Sequence, residues 1–254
     1  MKVSIITVCY NSEVTIRDTI ESVLEQSYLD IEYILLDGKS KDSTLRIINE
    51  YKDRISVIKS EKDNGMYDAI NRGIQISAGD LIGILNSDDV YKNANVISDV
   101  VSLIQKENTD ACYGDLIYVK RDDLSKLVRY WKSGKYKEGY FKYGWMPPHP
   151  SFFVKKECYE RFGLFNLDVV SAADYELMLR FIHVNRIKLS YLERVLVKMR
   201  DGGISNASFA NRLRGNAEDK KAWDINGLRL PWYTLKLKPL RKIGQYLPKK
   251  KGIN

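Results

Sequence analysis

A short apolar run that ends in two adjacent carboxylates limits the fold of this chain more than any other feature. Residues 81–85 have the length of a strand buried on both faces, and Asn86-Ser87-Asp88-Asp89 follows where such a strand would leave the core. Open α/β sheets bind their ligands at that edge. Because adjacent carboxylates repel each other, Asp88 and Asp89 favour a divalent cation there. A solvated turn is the alternative.

Segments with strand-like and helix-like patterns alternate along the first half of the chain. Strands are predicted at residues 3–10, 31–36, 55–58, 81–85 and 111–119, and helical spacing of apolar residues separates most of them. This alternation is typical of a parallel sheet with right-handed crossovers. The GxGxxG and GxxxxGK[ST] spacings are absent, which argues against dehydrogenase and kinase functions.

The composition predicts a soluble globular protein. The chain has 254 residues, of which 44% are apolar and 29% charged. We find no export signal and no apolar stretch long enough to span a membrane, and therefore expect a cytoplasmic location. Three widely spaced cysteines and two histidines give no zinc-site spacing, so any metal is expected to be bound by oxygen.

The net charge of +8 is concentrated at the C-terminus. Residues 207–254 contain 12 Lys+Arg and 3 Asp+Glu, which leaves a balance of −1 for residues 1–206. We predict a domain at 1–206 and a basic amphipathic extension at 207–254. Cations beside tryptophan and leucine suit the anionic inner face of the cytoplasmic membrane, which predicts peripheral binding. Alternatively, the apolar residues pack back on the domain. Nucleic acid is not an expected partner, because no recognised binding fold surrounds the basic residues.

Several motifs, in their order and spacing, resemble family 2 glycosyltransferases of the GT-A fold, and most closely the bacterial members that assemble surface polysaccharide such as O-antigen or capsule. The motifs occupy residues 3–11, 36–44, 63–73, 85–89, 144–150, 172–177 and 198–206. The resemblance implies one nucleotide-sugar-binding α/β domain with a mostly parallel central sheet flanked by helices. It also implies inverting transfer of a sugar, from UDP or a similar nucleotide, to a hydroxyl of a glycan or lipid-linked acceptor.

The resemblance also implies roles for residues on the donor side. Asp88, supported by Asp89, would hold Mg²⁺ or Mn²⁺ against the diphosphate. Asp37 would accept a hydrogen bond from the ring N–H of uracil or thymine. The remaining nucleotide-binding residues implied in this way are Thr7, Tyr10, Asn11, Asp68, Asn86 and Ser87.

On the acceptor side, Asp174 corresponds to the catalytic base of the family, which takes the proton of the attacking hydroxyl. The alternative for Asp174 is an N-cap of the helical pattern that follows it. His149 would contact the acceptor or the metal, or would be structural. Arg200 would bind the diphosphate once a loop closes.

Two other functions remain possible from the residues. One is synthesis of a sugar nucleotide, although Cys9-Tyr10-Asn11-Ser12 follows the first strand in place of the glycine-rich basic loop of such enzymes. The other is a non-catalytic module that binds a sugar nucleotide or a membrane. The presence of candidates for both a metal ligand and a base favours the enzyme.

Overall fold

The protein is built around a nine-stranded sheet with helices on both faces. A computed structural model describes residues 1–202, 209–243 and 245. The strands are β1 (Val3–Cys9), β2 (Ile31–Asp37), β3 (Val57–Ser60), β4 (Leu81–Ile84), β5 (Val90–Tyr91), β6 (Ala111–Lys120), β7 (Asp123–Trp131), β8 (Phe152–Lys155) and β9 (Leu189–Arg200). The helices are α1 (Ile16–Leu24), α2 (Thr44–Asn49), α3 (Met66–Ile76), α4 (Val96–Glu107), α5 (Lys156–Phe162), α6 (Ala173–Met178), α7 (Phe209–Ile225) and α8 (Thr234–Ile243).

The strand order is β3-β2-β1-β4-β8-β6-β9-β5, and β7 pairs with β6 outside this path. The first four of these strands are parallel, as the alternating pattern predicted. β8 then runs antiparallel to both β4 and β6, while β6 and β9 are parallel to each other. The α/β fold class is therefore confirmed, and the parallel half brings the carboxyl ends of β1, β2 and β4 to one edge.

Both faces of the sheet are buried along β1, β2 and β4, which explains why these strands read as continuous apolar runs. Along β1, Ile6 and Val8 pack into one core and Val3 and Ile5 into the other. Helix α3 lies very close to the sheet, since a Cβ atom on Gly73 would meet the Ile6 side chain at 2.7 Å. The start of α3 is thereby held over the carboxyl edge of the sheet.

The described part of the predicted extension packs on the domain. Ala222 and Trp223 of α7 are buried in the same core as Ile6 and Tyr175, and the Trp223 indole N–H donates to the Tyr175 hydroxyl at 2.9 Å. Residues 207, 208, 244 and 246–254 of the extension, and its boundary at 206/207, lie outside the described residues. Within the described ranges, no helix is long and apolar enough to cross a membrane.

Candidate active site

The loops that follow β1, β2 and β4 are joined by hydrogen bonds at the carboxyl edge of the sheet. The backbone N–H of Asn11 donates to the Ser40 hydroxyl at 2.8 Å, and the Asn11 side chain accepts from the Lys41 N–H at 2.9 Å. The hydroxyls of Ser12 and Ser87 lie 2.9 Å apart. Predicted nucleotide-binding residues from three loops are thus brought together. Tyr10 projects beside them with 57% of its surface exposed.

Asp37 is buried at the end of β2, and its carboxylate is oriented by several donors. Ser40 donates to it through both its backbone N–H and its hydroxyl, and the Ser60 hydroxyl donates at 2.6 Å. Asp63 lies close by, since a Cβ atom on Gly38 would meet its carboxylate at 2.7 Å. Asp37, Asp63 and Arg72 line a small pocket between β3 and α3.

The loop after β4 presents one partly exposed and one buried carboxylate. Asp88 is partly exposed, and its Oδ2 lies 4.0 Å from the guanidinium of Arg121. Asp89 is fully buried, and its Oδ2 accepts from the Asn86 amide at 2.9 Å. Burial, followed by the charge of Asp88, raises the pKa of Asp89 well above its usual range. Three residues predicted on the nucleotide side therefore interact: Asn86 and Asp89 share a hydrogen bond, and the charge of Asp88 acts on Asp89.

Arg200 holds the backbone of the loop after β4. Its Nη1 donates to the Asp88 carbonyl at 2.7 Å, its Nε donates to the Arg121 carbonyl at 3.1 Å, and Nη2 pairs with the Asp18 carboxylate. Arg200 has 4% of its surface exposed, and its contacts fix the backbone that carries Asp88. Its role as a diphosphate ligand stays a prediction.

Two further donor-side predictions meet different surroundings from those expected. Thr7 is fully buried, and its hydroxyl accepts from the Tyr33 hydroxyl at 3.2 Å, so its side chain packs inside the sheet rather than lining an open pocket. Asp68 accepts the Asn64 backbone N–H at 3.0 Å and lies 3.8 Å from Arg72. It thereby closes the loop that leads into α3.

Asp174 lies in the first turn of α6 and is partly exposed. The helix begins two residues earlier than the N-cap alternative requires, because Ala172 occupies the cap position. The charge of Asp174 acts on Tyr67, from the first turn of α3, and on His149. The structure therefore brings the predicted base next to the element that also carries Asp68.

Two aromatic side chains lie beside Asp174, the buried His149 and the partly buried Tyr67. The His149 ring packs edge-on against Phe165 with centroids 5.5 Å apart, and Tyr67 stacks on the same ring at 5.2 Å. Burial lowers the pKa of His149, although the charge of Asp174 opposes that shift. Burial, then the charge of Asp174, raises the pKa of Tyr67 well above its usual range. Both rings are therefore neutral at neutral pH.

The sequence analysis missed a glutamate of α7 that holds the segment before Asp174. The Glu218 carboxylate accepts from the Ser171 hydroxyl at 2.8 Å, from the Ala172 backbone N–H at 3.1 Å and from the Ser171 backbone N–H. Glu218 thus satisfies free N–H groups at the start of α6, which is the task of an N-cap. No motif links residues so far apart, so only the fold reveals this contact.

Asn71 is a second residue that the sequence analysis missed. Its side-chain amide donates to the Phe165 carbonyl and accepts the Phe165 backbone N–H, both at 2.9 Å. This pair of bonds ties α3 to the loop that leads to Asp174. Asn71 belongs to the motif at residues 63–73, but the spacing of that motif does not show which partner its amide would meet.

The two carboxylates after β4 fit a divalent cation that is shared with a substrate. Within residues 1–202 and the described part of the tail, no three His, Cys, Asp or Glu side chains converge as a complete metal site. Asp89 Oδ1, however, is buried and has no hydrogen-bond partner among the described residues. Mg²⁺ commonly binds one or two carboxylates together with substrate phosphates. Asp88 and Asp89 are the residues that would provide such a pair.

Comparison with known proteins decides the family. The model of the family described as glycosyl transferase family 2 matches residues 4–155, which is more than half of the chain. The chain belongs to glycosyl transferase family 2. The matched segment contains the donor-side residues from Thr7 to Asp89 and also His149, whereas Asp174 and Arg200 lie beyond it.

Curated relatives of this family 2 glycosyltransferase come from bacteria. A PGL/p-HBAD biosynthesis glycosyltransferase of Mycobacterium bovis is 27% identical over 215 residues, covering 80% of this chain and 78% of its own length. The Escherichia coli enzyme WfaP, a UDP-Glc:alpha-D-GlcNAc-diphosphoundecaprenol beta-1,3-glucosyltransferase, is 38% identical over 121 residues, or 47% of each chain.

Solved structures confirm the GT-A-like fold predicted from the sequence. Staphylococcus aureus TarS 1-349 in complex with UDP-GlcNAc has a TM-score of 0.62 at 15% identity, covering 88% of this chain and 71% of its own. The mannosyltransferase PcManGT of Pyrobaculum calidifontis, in complex with GDP-Man and Mn²⁺, has a TM-score of 0.66 at 16% identity, covering 94% and 69%. At these identities the likeness concerns the fold alone.

Proposed function

We propose that this family 2 glycosyltransferase moves a sugar, with inversion at the anomeric carbon, from a UDP-sugar to a hydroxyl of a glycan or lipid-linked glycan. The observation that carries the proposal is the position of Asp174. It is partly exposed at the start of α6, beside Tyr67 of α3, and the next residue of α3 closes the donor-side loop. One helix start thus connects a candidate base with a candidate donor site.

The nucleotide would bind at the joined loops after β1, β2 and β4. Tyr10 is exposed there and offers a ring on which a base stacks, and Asn11 and Ser87 fix the backbone around it. The proposal of UDP is supported by the UDP-GlcNAc complex of TarS and by the UDP-Glc donor in the name of WfaP. The GDP-Man complex of PcManGT shows that another nucleotide occurs on the same fold.

In the proposed reaction, the acceptor oxygen bonds to the anomeric carbon as the bond from that carbon to the diphosphate breaks. The proton of the hydroxyl passes to the carboxylate of Asp174, and the nucleoside diphosphate leaves with the electron pair of the broken bond. A cation held by Asp88 and Asp89, Mg²⁺ or Mn²⁺, would offset the negative charge of the leaving group. The buried ring of His149 and the partly buried ring of Tyr67 lie beside Asp174.

The proposed acceptor is a glycan or a lipid-linked glycan. WfaP is named for a diphosphoundecaprenol-linked acceptor, which supports a lipid-linked acceptor for this chain as well. An enzyme that uses such an acceptor works at the cytoplasmic face of the membrane, so we place the protein in the cytoplasm as a peripheral membrane protein in the synthesis of surface polysaccharide.

The first test is thermal stabilisation by UDP-glucose, UDP-GlcNAc, dTDP-glucose and GDP-mannose, each with and without Mn²⁺ or Mg²⁺. A ligand at 100 times its dissociation constant stabilises the folded state by about 2.7 kcal/mol. We expect a metal-dependent shift with the uridine compounds that Asp88→Ala abolishes and the exposed control Asp53→Ala retains. If no nucleotide stabilises the protein, the proposed donor site is wrong.

A further inference from the structure

Helix α8 exposes an apolar and cationic stripe on the side that faces away from the domain. Trp232, Lys236 and Leu240 follow one another at steps of four residues, which places them on one side of the helix and of the turn before it. Trp232 is 78% exposed and Leu240 is 56% exposed. We call these three residues the outer stripe.

The opposite side of α8 is anchored to the domain, so the outer stripe has a fixed direction. The Thr234 hydroxyl donates to the Lys142 carbonyl at 2.5 Å, and the Lys238 ammonium pairs with Asp219 of α7 at 2.6 Å. Arg241 Nε donates to the Tyr143 carbonyl at 2.9 Å. A stripe held in this way is a property of the folded enzyme rather than of a free tail.

An aromatic rim continues the outer stripe toward the domain. Tyr143 is about half exposed and stacks on Tyr233, with ring centroids 5.7 Å apart. The Lys236 ammonium lies over the Trp232 ring at 5.1 Å from its centroid, and the Arg241 guanidinium lies over Tyr140 at 5.4 Å. Lys236 and Arg241 therefore each stand beside an aromatic ring.

The charge of this part of the chain has one sign. Residues 225–254 contain eight Lys+Arg and no Asp or Glu. A positive segment of this kind is attracted to anionic lipid, with about 1 kcal/mol for each Lys or Arg near the surface. Tryptophan and tyrosine favour the depth of the lipid headgroups, and leucine favours the acyl boundary below them.

We propose that the outer stripe and its aromatic rim dock on the headgroup layer of an anionic bilayer. Cations alone would suit nucleic acid or an acidic glycan equally well, but the exposed Trp232 and Leu240 gain stability only where apolar surface leaves water. This inference rests on the proposed function, because a lipid-linked acceptor would be met at that surface. Helix α8 also lies close to the segment of Asp174, because the Lys238 ammonium pairs with Asp219 of α7 and lies 4.0 Å from the centroid of the Tyr175 ring.

The test is co-sedimentation of the full chain with vesicles of phosphatidylcholine alone and with phosphatidylglycerol added. Lys236→Glu reverses one charge and is expected to lower the partition coefficient on anionic vesicles about thirtyfold. Trp232→Ser and Leu240→Ser are expected to lower it roughly tenfold each, through lost apolar contact. The matched controls are Leu29→Ser and Lys52→Glu, at exposed positions elsewhere.

Binding by the three stripe variants equal to that of the controls would overturn the proposal. It would equally be overturned if Trp232→Ser and Leu240→Ser bind normally and only Lys236→Glu fails, because that result indicates a polyanion site. Thermal stabilisation by UDP with Mn²⁺ is measured on every variant. Loss of vesicle binding with an intact nucleotide shift supports the docking surface, whereas absence of the nucleotide shift in the parent protein tells against the donor site alone.

Discussion

Asp174 combines exposure with a buried apolar backing, and this combination suits a base that must meet a hydroxyl group. Tyr67 and His149 stand behind it, and burial shifts the pKa of each ring toward the neutral form. The carboxylate of Asp174 also accepts the backbone N–H of Tyr175 at 2.7 Å, which restricts its rotation. The Asp174 carboxylate is therefore partly exposed and at the same time held by a hydrogen bond.

Replacing Asp174 by asparagine keeps the shape and polarity of the side chain but removes the proton acceptor. We expect kcat to fall by about 10² to 10⁴, the usual contribution of general base catalysis, with an unchanged KM for the donor. The measurement is release of nucleoside diphosphate from a donor identified by the stabilisation panel. Wild-type turnover by Asp174→Asn would contradict the assignment of the base.

The buried His149 predicts a dependence of stability on pH. Its pKa is lowered in the folded state, so the unfolded chain binds the proton more readily as the pH falls through about 6.5. The free energy of unfolding should therefore be lower at pH 5 than at pH 7.5. His149→Gln cannot gain this proton and should reduce the difference.

Urea unfolding at several pH values measures this effect. His183→Gln is measured in parallel, because burial also lowers the pKa of His183. Its removal should take away a separate part of the pH dependence of the free energy of unfolding. An identical pH dependence in the wild type and in His149→Gln would show that His149 does not contribute.

The sequence predicted which loops meet at the carboxyl edge of the sheet, but it did not predict in which direction each side chain points. The hydrogen bonds around Asn11, Asp37 and Ser87 lie at the predicted edge because parallel strands end there. Arg200 and Thr7 meet other partners than expected, because the direction of each side chain depends on neighbouring strands. The Asp88 carbonyl engages Arg200 and the Tyr33 hydroxyl engages Thr7, and neither partner is near in the sequence.

Helix α6 is an element that its own sequence does not cap. No side chain at its N-terminus caps it, and the Glu218 carboxylate of α7 takes that place through Ser171 and Ala172. Lys221 of α7 also donates to the Asp168 carbonyl at 2.7 Å. The segment that carries Asp174 is therefore positioned by a helix beyond the family-model match.

Glu218→Ala removes the acceptor of three hydrogen bonds beside Asp174. Since a shift of about 1 Å in a catalytic group can cost about 10² in rate, we expect kcat to fall roughly tenfold or more while the donor KM stays unchanged. Glu218→Gln keeps a carbonyl oxygen and should lose less. Steady-state kinetics well below the melting temperature give both constants.

The control for Glu218 is Glu157→Ala, which removes an exposed glutamate paired only with Arg161. A lower melting temperature with unchanged kcat in Glu218→Ala would indicate a structural role alone. A lower kcat with an unchanged donor KM in Glu218→Ala would identify Glu218 as a positioning residue.

The sequence predicted the existence of elements in the parallel half more reliably than their packing in the C-terminal half. β1, β2, β4 and β6 are confirmed, whereas the strand predicted at residues 55–58 lies at Val57–Ser60. For α7, the mixture of cations and aromatic residues fitted both a lipid surface and a protein core. Trp223 resolves this for α7, because its indole finds the Tyr175 hydroxyl inside the core.

Across the whole molecule, one core joins the start of the chain to its C-terminal helices. The core that contains Ile6 of β1 also contains Tyr175 of α6 and Trp223 of α7. The predicted domain at 1–206 and the predicted extension at 207–254 therefore share buried surface through α7. Sequence charge reports the surface of a segment, whereas its apolar residues determine whether it folds with the rest.

Two tryptophans of the C-terminal segment provide a direct comparison of these roles. Trp223 is 1% exposed, so Trp223→Ala should lower the free energy of unfolding by roughly 3–5 kcal/mol. Trp232→Ala, at an exposed position, should change it by no more than about 0.5 kcal/mol. Urea unfolding of both variants measures the difference.

Deletion of residues 207–254 removes the whole of α7 and should destabilise the protein at least as much as Trp223→Ala. A deleted chain as stable as the full protein would mean that α7 is dispensable for the core, and Asp174 would then have to be held without Glu218.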